Sequence, residues 1–160
     1  MLIDNDPKKI KQKIGYWEKL VNEKKIKEDL YFKIAYGYED LNNFRKAIFY
    51  FRKIIRLGSA DKCHVFFNIG YCYQEQDNFK KAIFYFKKAL ELQPRDKSIH
   101  GILSCAYLDA SIAYKKKNPK FSEAYARKAL LHSRKGRNAK EMKLLLRIYS
   151  LNKFMANKER

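Results

Sequence analysis

The feature that most constrains this chain is that it repeats itself. The run Asn43-Phe44-Arg45-Lys46-Ala47-Ile48-Phe49-Tyr50-Phe51-Arg52-Lys53 returns 35 residues later as Asn78-Phe79-Lys80-Lys81-Ala82-Ile83-Phe84-Tyr85-Phe86-Lys87-Lys88. Tyr38 and Tyr73 keep the same offset. A period of this length means one supersecondary unit stacked on copies of itself, each burying a face that it cannot bury alone. Apolar residues recur at helical spacing, and the scarce Gly and Pro sit at the ends of the elements.

The second copy carries Phe66, Ile69-Gly70 and Tyr73, then Ala82, Phe86 and Ala89, then Pro94. This spacing resembles the tetratricopeptide repeat, with Phe66 where the family places Trp. The resemblance implies an all-α fold, a right-handed superhelical solenoid of antiparallel helix pairs with N- and C-terminal capping helices. Residues 1–160 read as one such domain. Repeat 1 is expected over 28–62, with Tyr31, Ile34, Ala35 and Tyr38 facing Ala47, Phe51 and Ile54. Ala35 replaces the family glycine, and Gly58-Ser59 supplies the stop in place of Pro. Repeat 2 is expected over 63–96, with Gly70 and Ala82 as the small residues that let its helices approach.

The third copy, 97–133, is longer. His100, Leu103, Ser104 and Tyr107 follow the first-helix spacing, but the turn comes only at Asn118-Pro119. Two registers are open for its second helix: Ala129 on Ala89, or Ala124 on Ala82. A capping helix is expected over 7–24, opened by Asp6 and Pro7, with Trp17 as its main core anchor beside Ile10, Ile14 and Val21. Arg134-Lys135-Gly136-Arg137-Asn138 reads as a basic turn. An amphipathic helix over 139–156 then closes the array.

Several function classes drop out. There is no Gly-rich phosphate loop, no His-Glu-x-x-His and no nucleophile elbow, so neither an enzyme nor a cofactor is expected. Cys63 and His64 are adjacent on a helix, which points them about 100° apart and spoils them as nucleophile and base. The scattered Cys63, Cys72 and Cys105 make no disulfide framework and no metal-ligand spacing. No run of about 18 apolar residues exists to span a membrane. The N-terminal stretch lacks a signal-peptide layout, which points to a cytoplasmic location.

The family places first helices on a concave groove and second helices on a convex back. By repeat position, the resemblance puts Phe32, Lys33 and Tyr36 in the groove, then His64, Phe67, Asn68 and Tyr71, then Ile102 and Cys105. Asp29, Asp40 and Glu75 flank them. The expected function is a protein-protein adaptor or chaperone that holds a peptide or helix on a ladder of exposed rings, with Asn68 fixing the peptide backbone. The clamp that some relatives use for an acidic terminal tail calls for Lys and Asn on the first repeat's first helix, Asn on the second, and Lys and Arg on the third. Asn68 matches, but Phe32, Tyr36, Ser98 and Ile102 occupy the other positions.

The alternative reading rests on charge. The chain carries net +19, of which residues 115–160, with 15 basic and 3 acidic side chains, hold +12. Arg134, Lys135, Arg137, Lys140, Lys143 and Arg147, with the basic convex face, offer a surface for nucleic acid or an anionic membrane. Nucleic acid is the less favoured partner. Exposed rings and solenoid ends also leave self-association open.

Overall fold

The computed structural model describes residues 6–23, 28–59 and 61–136. These hold seven helices and no strand: α1 Pro7–Glu23, α2 Glu28–Asp40, α3 Phe44–Arg56, α4 Lys62–Gln74, α5 Phe79–Leu92, α6 Lys97–Tyr114 and α7 Pro119–Gly136. Each packs on the next, so the fold is an all-α solenoid of helix pairs. The main core is one continuous strip of buried side chains running from Ile10 to Ala129.

The 35-residue period is visible atom by atom in the turns. Asn42 and Asp77 both adopt the left-handed conformation, at φ 54°. This lets Asn43 N–H reach Tyr38 O at 2.7 Å and Asn78 N–H reach Tyr73 O at 2.9 Å. Asn and Asp tolerate that region better than other side chains. Asn43 and Asn78 then cap α3 and α5, their side chains accepting from Lys46 N–H and Lys81 N–H. Gly58, at φ 81°, ends α3 as its composition predicts.

The first helix starts where Asp6 and Pro7 direct, with Lys8 N–H donating to Asp6 Oδ1 at 2.9 Å. Its most buried side chain is Ile14, not Trp17, which is only half buried. The reason is Gly37. A Cβ there would lie 2.8 Å from Ile14 Cγ1, so the missing side chain is the seat for the isoleucine.

At Gly70 the partner is likewise different from expectation. The group filling its empty Cβ space is the ring of Phe86, whose Cδ1 and Cε1 would be 2.7 Å away, and not Ala82. The equivalent residues along the solenoid are Ala35 and Ser104, both fully buried.

The third pair resolves the open register. Asn118 accepts from Phe121 N–H at 3.1 Å, the same cap that Asn78 gives α5. Ala129 therefore falls on Ala89 and Ser122 on Ala82. Ala124 is exposed, which excludes the other register. Both helices here have 18 residues, against 13 in α4 and 14 in α5.

Small residues let α6 and α7 meet closely. Ser111 and Ser122 bond each other's carbonyls at 2.8 Å in both directions, and Ser104 Oγ donates to Ala129 O at 2.9 Å. A Cβ on Gly136 would lie 3.1 Å from Gly101 N. α7 stays helical through Arg134, Lys135 and Gly136, three residues that composition alone assigns to a turn. The segment 139–156 and the residues Arg137, Lys140, Lys143 and Arg147 lie outside the described residues.

Candidate interaction surface

The first helices α2, α4 and α6 touch side by side through polar side chains. Tyr36 OH accepts from Asn68 Nδ2 at 3.1 Å and meets His64 Nε2 at 3.1 Å. Cys72 Sγ donates to Glu39 Oε1 at 3.0 Å, and Gln74 Nε2 donates to Asp109 Oδ2 at 2.8 Å. On the opposite side Arg52, from α3, reaches Tyr73 OH at 3.1 Å and Tyr85 OH at 3.4 Å.

The rings of the α2–α4 surface form a cluster. Phe32 stacks on Tyr36, with ring centroids 6.1 Å apart, and on His64 at 5.8 Å. Both Phe32 and Tyr36 meet the buried ring of Phe51 edge-on. Phe67 packs on Phe86 at 5.6 Å. Three of the four rings read from the sequence as exposed are therefore half buried, because the second helix of each repeat supplies a Phe beneath them. Tyr71 alone is open, at 39% exposure.

The remaining predicted positions divide. His64 and Lys33 are exposed, and Ile102 and Cys105 are half buried on α6. Asn68 is buried and spends its amide on Tyr36, so its side chain positions that phenol instead of standing open. His64 also faces Asp61 at 3.4 Å. Between α4 and α6 lies a cleft of about 350 Å³, floored by Phe67 and Ile99 and rimmed by Asp61, His64, Asp96 and Ser98. Arg134 and Lys135 are exposed at the end of α7.

Burial sets the ionisation of this surface. It raises the Tyr36 phenol, against the hydrogen bond from Asn68. Burial also raises the Glu39 carboxyl, and the Cys72 thiol well beyond its ordinary value, the latter helped by the adjacent Glu39. The Cys72 thiol therefore stays protonated and acts as a hydrogen-bond donor, not as a nucleophile. Cys63 donates to Ala89 O at 3.5 Å. Among the described residues no group of three or more His, Cys, Asp or Glu side chains is arranged to hold a metal ion. No described helix is long and apolar enough to cross a membrane.

Sequence reasoning missed the tyrosine pairs on the other edge of each repeat. Tyr38 stacks on Tyr50 at 5.8 Å and Tyr73 on Tyr85 at 5.6 Å, with interplanar angles of 16° and 17°. Glu18 of α1 accepts from both phenols of the first pair, at 2.9 and 2.7 Å. Arg52 serves the second pair. The signal was present, since both pairs keep the 35-residue offset. His100 and His132 were also missed. They meet Nδ1 to Nδ1 at 2.9 Å across α6 and α7.

Family models for the tetratricopeptide repeat match residues 28–59 and 65–96. A comparison with curated protein sequences gives no significant match. Among solved structures, the crystal structure of MamA is similar over 91% of this chain and 89% of its own, at 17% identity and a TM-score of 0.54. A MamA RS-1 double mutant is similar over 85% and 79%, at 14% identity and TM-score 0.57. The C-terminal part of a repeat-containing protein from Cytophaga hutchinsonii is similar over 85% of this chain and 60% of its own, at 20% identity and TM-score 0.59. At these identities the likeness concerns the fold. The matched repeats and the stacked helix pairs together identify the chain as a tetratricopeptide-repeat protein.

Proposed function

We propose that this protein is a non-enzymatic adaptor that holds a segment of another protein across the α2–α4–α6 surface. Members of this family are in general interaction scaffolds, and the repeats give the chain that character. The observation that carries the finer reading is the continuity of the ring cluster across two repeats. Phe32, Tyr36 and His64 touch one another, and Phe67 and Tyr71 extend the strip along α4. Half-buried rings held by Phe51 and Phe86 are rigid, and rigid aromatic surface binds with little loss of side-chain freedom.

Charge selects the ligand. α2 carries four acidic residues and one basic, and Asp61 and Asp96 rim the neighbouring cleft. The surface suits an apolar segment bearing Lys or Arg, and it offers little to an acidic tail.

Binding of fluorescent peptides to the whole protein tests this. Amphipathic peptides with Lys or Arg should bind, and the same peptides with Glu at those positions should not. Tyr71→Ser with His64→Ser should weaken binding about tenfold, since both side chains are exposed and neither supports the core. Equal affinity for acidic and basic peptides, or full affinity in that double variant, refutes the reading. Alanine at Phe32 or Phe67 is the wrong probe, because it undermines Phe51 or Phe86.

A further inference from the structure

Charge is sorted between the two layers of the solenoid. Among the second helices, α3 carries five basic and no acidic residues, α5 four and one, and α7 five and one. Among the first helices, α2 carries one basic and four acidic residues, α4 one and none, and α6 one and one. One layer thus holds net +12 and the other −2. The C-terminal bias read from the sequence is only part of this. The charge follows the face.

Large apolar side chains stand in that basic field. Phe49 and Leu57 belong to α3 and its cap, Phe84 and Leu92 to α5, and Phe121 and Leu131 to α7. All are about half exposed, from 48% to 57%. Phe49/Phe84 and Leu57/Leu92 are repeat equivalents, so the pattern is built into the unit.

We propose that this outer layer docks on an anionic lipid bilayer. The Lys and Arg side chains would sit at the headgroup phosphates, with the half-exposed apolar side chains at the boundary with the acyl chains. Single-stranded nucleic acid also pairs cations with rings, but two observations favour lipid. Three of the six apolar side chains are leucines, which offer no face for a base to stack on. In addition, Lys53 Nζ lies 4.7 Å over the Phe49 ring and Lys88 Nζ 4.9 Å over the Phe84 ring, so one face of each ring is already occupied.

Co-sedimentation of the full chain with vesicles tests the proposal, comparing phosphatidylcholine alone with a mixture containing phosphatidylglycerol. The wild type should pellet only with the anionic vesicles, less so as salt rises. Phe49→Ser with Phe84→Ser should weaken this about tenfold, and so should Lys80→Glu with Lys87→Glu, with unchanged circular dichroism. Phe49→Leu with Phe84→Leu should bind like wild type, because an aliphatic side chain inserts as a ring does. Undiminished binding of the serine variant overturns the proposal. So does loss in the leucine variant equal to that in the serine variant, or tighter binding to a single-stranded RNA oligonucleotide than to anionic vesicles at the same salt. Loss confined to a variant reversing Arg137, Lys140, Lys143 and Arg147 overturns it as well. The groove-facing Tyr71 and His64 take no part, so this test is independent of the peptide-binding reading.

Discussion

His100 and His132 show how one proton is fixed by its surroundings. His100 Nε2 lies 3.2 Å from Pro94 O, a group that only accepts. That nitrogen therefore carries hydrogen. In the neutral ring Nδ1 is then bare and accepts from His132 Nδ1–H. Burial, with His100, Lys135 and Lys87 nearby, pushes His132 down to about 4. The folded protein thus refuses a proton that the unfolded chain accepts near 6.5. The stabilisation is complete above that value and is lost as pH falls from about 6.5 to about 4. Solvent screening of this half-exposed ring limits the loss to on the order of 1 kcal/mol. Urea melts at several pH values should show the decline, and His132→Gln should flatten it.

At the scale of the element, the helices and their order were legible, because each second helix announces its buried face through Ala, Ile and Phe at fixed offsets. Helix ends were legible where Asn, Asp or Gly dictated a turn. Two elements were not. The register of α7 needed the Asn118 cap, since Ala124 and Ala129 are the same residue type and only burial separates them. The length of α7 was hidden because Gly136 reads as a stop, whereas it is the small residue that lets the end of α7 approach the α6 backbone. The ring surface was legible in position but not in exposure. Sequence spacing marks Phe32 and Phe67 as facing away from the seam, yet Phe51 and Phe86 are large enough to reach under them.

Glu18 is the polar fastening of α1, and it too was invisible until two phenols converged on it. Charge-assisted hydrogen bonds of this kind contribute about 1.5–3 kcal/mol each. Glu18→Ala should therefore loosen α1 selectively. Hydrogen exchange should quicken for amides of α1 and stay unchanged in α4 and α5. Equal quickening throughout would mean that α1 and the repeats open as one unit.

For the whole molecule the governing quantity is net charge, +19 at neutral pH, concentrated in the described structure on α3, α5 and α7. Neighbouring second helices repel one another across the outer layer. Raising salt from about 10 mM to about 150 mM shortens the screening length from roughly 30 Å to roughly 8 Å. The thermal midpoint should climb by a few degrees, because repulsion between like charges is what the salt relieves. A midpoint that drops with salt would mean that local attractions, such as Arg127 with Glu123 at 2.7 Å, outweigh the layer's repulsion.

The two tyrosine pairs carry one more implication. Identical phenols give their hydrogens to a carboxylate in the first repeat, yet lie against a guanidinium in the second. Phenols accept either neighbour, so the unit works as a universal joint whose polarity is chosen by whatever precedes it. The 35-residue module can thus be duplicated at its internal junction without redesign, since α3 presents Arg52 to the tyrosines of the repeat that follows it. Moved to the front, its tyrosines would meet Glu18 as those of the first repeat do. Growth by copying is therefore open to this unit wherever a carboxylate or a guanidinium precedes it.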